Sequence, residues 1–87
     1  MRENLLQAIE FAVAGQWNAA HEIVQRYETG TTAAWIHAVL HKIEGDQGNS
    51  QYWYRRAGKM EHASHEAMAE LEEIRKEVAG QEQPIRG

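Results

Sequence analysis

Two stretches decide how this chain folds: GQWNAAHEIVQRYE at residues 15–28 and GDQGNSQYWYRRAG at residues 45–58. Shifted by thirty positions, Gly15 falls on Gly45, Ala20 on Ser50, Val24 on Tyr54 and Tyr27 on Ala57. Identity between the two is low. Small and large residues nevertheless recur in the same order after a glycine turn, which is how a repeated helix–turn–helix unit reads.

Outward from these stretches the same punctuation holds. The single proline is Pro84, so glycines and not proline divide the first 83 residues, and no segment alternates strictly between apolar and polar residues. An all-α chain of about five helices is expected. The first, over about residues 3–14, carries Leu5, Leu6, Ile9, Ala12 and Val13 on one stripe, with Phe11 turned elsewhere. The second, 17–27, groups Ala20, Ile23, Val24 and Tyr27. The third follows Gly30 with Thr31 or Thr32 as its cap and runs to Glu44; Trp35, Ile36, Val39, Leu40 and Ile43 with Ala34 and Ala38 make it the most buried helix. Asp46 or Asn49 should cap the fourth, through Ala57, with Ser50, Trp53, Tyr54 and Ala57 inward. In the fifth, 61–79, the residues Met60, Ser64, Ala67, Leu71, Ile74 and Val78 follow a 4-3-4-3-4 spacing, a heptad seam. That seam has two readings: it caps the preceding hairpins, or it forms a homodimer through residues 60–78.

Eighty-seven residues allow one domain, taken as residues 1–80 with a frayed tail over 81–87. A 43% hydrophobic and 25% charged composition is that of a globular chain. With no cysteine, disulfides, thiolate metal sites and cysteine nucleophiles are excluded. A net charge of −4 argues against nucleic acid as a partner, and apolar runs of only a few residues argue against a membrane. Glu3 stands where a signal peptide would be basic, so a cytoplasmic protein is expected.

The layout resembles the tetratricopeptide class of helical hairpins, in which a small residue lies five positions after the turn glycine (Ala20, Ser50) and an aromatic nine after (Tyr54). The second unit is similar to the related Sel-one-like repeat through Gly45, Asp46 and the run Trp53, Tyr54, Arg55, Arg56, Ala57. The stretch WIHAVLHKIEGD…GNSQYWYRRAG is also similar to one found in small bacterial proteins, a likeness that supplies no activity. The resemblance covers roughly residues 4–58. It departs from the tetratricopeptide pattern in its period of 30, and in Asn4, Gln7 and His37 where that pattern has tryptophan or leucine. It implies two hairpins, a closing helix and a role in binding proteins or peptides.

Two groups of residues could carry chemistry. Tyr52, Arg55 and Arg56, with Trp35, combine large contact area with directional donors and would take a protein or peptide, especially an acidic one, in a groove between the first helices of the two units. The arginines could instead pair with Glu44, Asp46 or Glu22. His37, His41 and Glu44 lie at i, i+4, i+7 on one side of the third helix, a spacing that can chelate a divalent transition metal, with His21 as a further candidate from the second helix. The bland alternative is that both histidines fill a helix crevice. HAVLH lacks the glutamate of the HExxH zinc motif, and no phosphate loop or serine nucleophile motif is present, so no enzyme and no cofactor are expected unless a metal-dependent activity rests on these histidines. His62 and His65 read as surface or rim residues.

Overall fold

The computed structural model describes residues 2–27 and 29–80. Within them the chain forms five α-helices: α1 (Arg2–Val13), α2 (Trp17–Val24), α3 (Thr31–Glu44), α4 (Gln47–Ala57) and α5 (Ala67–Gly80). One-turn 3₁₀ segments follow α2 (Gln25–Tyr27) and precede α5 (Met60–His62). The architecture is all-α, with α1 packed on α2, α3 on α4, and α5 laid across both α1 and α3.

The turns thirty residues apart are built alike. Gly15 and Gly45 both adopt left-handed backbone, with φ of 82° and 87°. The Gly15 amide donates to Ala12 and the Gln16 amide to Phe11; Gly45 donates to Lys42 and Asp46 to His41. These paired bonds satisfy carbonyls that a helix end leaves open, and only glycine enters the left-handed region without a steric cost. Two pairs matched by the shift behave alike inside, Ala20 and Ser50 being buried, as are Val24 and Tyr54, whereas Tyr27 is half-buried where Ala57 is buried.

Asp46 caps α4 as expected, its carboxylate accepting from the Asn49 amide at 3.2 Å. Neither Thr31 nor Thr32 caps α3; that position is Gly30, with no side-chain bond, and Thr31 is already helical. On α1, Val13 turns out to water, and Ala8 takes the inward place. Ile43 of α3 is likewise exposed. Along α3 every residue from Ala33 to His41 is buried, because α1, α2, α4 and α5 all contact it.

The fifth helix starts six residues later than the heptad implies, so Met60 and Ser64 leave the seam and are exposed. A physical reason is at hand in Lys42. Its Nζ donates to the carbonyls of His62, Ala63 and His65, at 3.3, 3.2 and 2.6 Å, drawing off acceptors that a continuous helix would use. Glu66 then opens α5, its carboxylate accepting from the amides of Met68 and Ala69. Leu71, Ile74 and Val78 are fully buried against α1 and α3. Of the seam proposed for a homodimer through residues 60–78, Leu71, Ile74 and Val78 are used inside the chain, while Met60 and Ser64 are exposed. The expected frayed tail, 81–87, lies outside the described residues.

Glu70, a charged residue beside the heptad seam, is 1% exposed. Trp35 donates to its Oε2 at 2.7 Å, Tyr54 donates to the carboxylate at 2.7 Å, and Lys42 Nζ lies 2.8 Å from Oε1. All partners are donors, so the buried carboxylate is met on both oxygens. Burial, together with the hydrogen bond and negative charge of Glu70, raises the Tyr54 hydroxyl far above its usual pKa. Among the described residues no helix is long and apolar enough to cross a membrane.

Candidate metal centre

The site lies where α2, α3 and α4 meet. The glycine turn at Gly15 sets Trp17 at the start of α2, where its indole donates to the Leu40 carbonyl at 2.6 Å and ties α2 to α3. One helical turn on, His21 stacks on Trp17, ring centroids 4.6 Å apart and planes 15° from parallel. On α3, His37 and His41 are also one turn apart and stack at 4.9 Å. Trp53 of α4 closes the far side, lying on His37 at 4.0 Å and 12°.

Three histidines thereby converge from two helices. His21 Nε2 is 3.0 Å from His37 Nε2, and one ring nitrogen from each of His21, His37 and His41 lies within 4.8 Å of the others. His37 and His41 are buried, and His21 is half-buried. His41 Nδ1 is 2.9 Å from Glu44 Oε2, which leaves its Nε2 facing away from the carboxylate. His37 Nδ1 is buried without a hydrogen-bond partner.

Removal from water holds the His37 ring down at a pKa of about 3, with His21 and His41 adding to the effect. His21 is lowered mainly by burial and then by His41, against the opposing charge of Glu44. At neutral pH both rings are therefore neutral, with a nitrogen lone pair available. Ion-bound imidazole nitrogens stand about 2.0–2.1 Å from zinc, which puts two tetrahedral ligands roughly 3.3 Å apart. The 3.0 Å His21–His37 separation is close to that spacing.

The sequence-expected residues are distributed unevenly. His37 and His41 are together as the spacing implied, and His21 joins them across the helix interface. Glu44 stands behind His41, in the place of a carboxylate that orients a ligand ring. Trp35, expected on a partner-binding surface, is 1% exposed and bonded to Glu70, so it presents nothing to a partner. α5 packs against both α1 and α3, the first helices of the two units. Tyr52, Arg55 and Arg56 are exposed on α4, where Arg56 donates to the Tyr52 hydroxyl at 3.0 Å. Trp17 and Trp53 were not read as walls of the site. The signal existed for Trp17, four residues before His21, but the partner of Trp53 is sixteen residues away and left no spacing to find.

No protein-family model, curated protein or solved structure matches the chain. The tetratricopeptide-like reading therefore rests on the chain's own residues.

Proposed function

We propose that this protein binds a divalent transition-metal ion through the imidazoles of His21, His37 and His41. The observation that carries the reading is the approach of His21 Nε2 to His37 Nε2 at 3.0 Å, with His41 in the same group, walled by two indoles. Imidazole suits zinc, copper, nickel and iron, and a three-histidine set leaves a coordination position for water or a further ligand. Because the His37 and His21 rings are neutral, binding costs no net proton from them, the proton shared between the two Nε2 atoms passing to the Nδ1 of the ring that carries it. Glu44 would hold the His41 ring in its coordinating tautomer.

The test is a zinc titration of the tag-free protein, followed by NMR at the ring nitrogens of His21 and His37. Those signals should shift at one equivalent. His21→Ala, which removes a half-buried ring outside the α3 core, should weaken this site at least about 100-fold with helicity retained, since loss of a second-shell group alone costs about 10–100-fold. Ring signals that stay in place at saturating zinc would remove the proposal.

A second reading, an interaction module for an acidic protein or peptide as the tetratricopeptide-like layout implies, is favoured by the outer face of α4. There the Arg56 guanidinium is held over the Tyr52 and Trp53 rings, 5.8 and 5.1 Å from their centroids, with Arg55 exposed beside it. A guanidinium held beside an exposed tyrosine and a half-buried tryptophan suits a carboxylate-bearing partner. The double variant Arg55→Glu, Arg56→Glu should lose partners that co-purify with the native chain; an unchanged set of partners would count against this reading.

A further inference from the structure

The remaining two histidines form a cluster of their own at the opposite edge of α3. His62 lies in the 3₁₀ turn, His65 in the segment leading to α5, and Glu73 on α5. Their Nδ1 atoms are 3.0 Å apart, and Glu73 Oε1 is 4.0 Å from His62 Nδ1. One ligand atom from each of the three residues fits within 4.8 Å of the others.

We propose that His62, His65 and Glu73 form a second, solvent-facing site for a divalent transition-metal ion, independent of the three-histidine centre. Two further observations support it. First, the chain segment that carries the two histidines is fixed from beneath: Lys42 Nζ donates to the carbonyls of His62, Ala63 and His65, and its charge is met by Glu70 at 2.8 Å. The turn is thus tied to α3 by a pinned ammonium, and the two imidazoles are held in register before any ion arrives. Second, the His62 ring is packed against α3. It packs on buried Trp35 with centroids 4.8 Å apart, and its Nε2 faces Glu61 Oε2 at 3.7 Å.

Two imidazoles and one carboxylate make a nitrogen and oxygen donor set that takes zinc, nickel, manganese or iron(II) and leaves further positions to water. His65 and Glu73 are exposed, so the site is open where the three-histidine centre is enclosed. It should accordingly be the weaker of the two, with faster exchange.

Zinc is the probe. Equilibrium dialysis of the whole chain should give two equivalents, and the ring signals of His62 and His65 should move as zinc is added. His65→Ala, at an exposed position, should remove one equivalent at zinc concentrations that saturate the native protein, while the His21 and His37 signals still respond. Glu73→Gln, which removes a proposed ligand, should weaken the same site at least about 100-fold. The proposal is overturned by His62 and His65 signals that do not move at saturating zinc, or by a stoichiometry that His65→Ala leaves unaltered. Because the two centres report through different rings, failure of one is read separately from failure of the other.

Discussion

The protein packs two polar clusters against the same helix, α3, and they are satisfied to different degrees. Around Glu70, Trp35, Tyr54 and Lys42 all direct donors at one carboxylate. Around His37, one ring nitrogen meets His21 and the other has no hydrogen-bond partner. A buried polar group normally finds its partners, so the complete set reads as architecture; at His37 the unpartnered atom is Nδ1, while Nε2 is the nitrogen that faces His21. The first cluster anchors α5 to α3 and α4; the second offers lone pairs.

The contrast is broken most sharply by Glu70→Ala. It strands a phenol and an indole in the interior and takes the counter-charge from half-buried Lys42, and should cost about 3–5 kcal/mol in a urea melt, the range for breaking a buried charge pair. A loss under about 1 kcal/mol would show that the carboxylate is not what holds α5 down. Tyr54→Phe removes one donor and leaves Trp35 and Lys42 in place, so about 1–3 kcal/mol is expected by the same measurement.

Acid sharpens the comparison from the other side. His37, faced by His21 and His41, has a folded pKa of about 3, below the 6.5 of an unfolded histidine. The unfolded chain therefore takes up a proton that the folded chain refuses. The stability tied to the neutral ring is complete above about pH 6.5 and falls as pH drops from there toward 3, by up to about 1.4 kcal/mol per unit. Melts of chelator-treated protein from pH 7 to 5 should show this slope, and His37→Leu should flatten it. The smallest effect is expected at pH 7. His37→Leu exchanges an incompletely bonded ring for an apolar side chain, and should change metal-free stability by less than about 1.5 kcal/mol while abolishing zinc uptake at the three-histidine centre.

Much of the fold was legible because local rules and packing agree in this chain. Gly15, Gly45 and Gly58 end helices in left-handed backbone, and the heptad half formed by Leu71, Ile74 and Val78 is buried. What the spacing could not convey were contacts between elements distant in sequence. Lys42 competes for the carbonyls that would extend α5, twenty or more residues away. Glu70 lies three residues after Ala67 and four before Ile74, on the inward face, but a glutamate at such a position reads as solvated until its partners are known. In the candidate site, the four-residue spacing of His37 and His41 was readable. The arrival of His21 depended on how α2 crosses α3, which the Trp17–Leu40 bond fixes and no periodicity encodes.

The unbroken burial of Ala33 to His41 has a consequence for how this chain can vary over generations. An ordinary surface helix keeps one flank that drifts freely; here nine successive positions have no such outlet, and added bulk at any of them must displace a neighbour. Divergence among descendants of this sequence should gather at helix ends and on the outer flanks of α4 and α5, leaving AAWIHAVLH as the stretch by which distant kin are recognised.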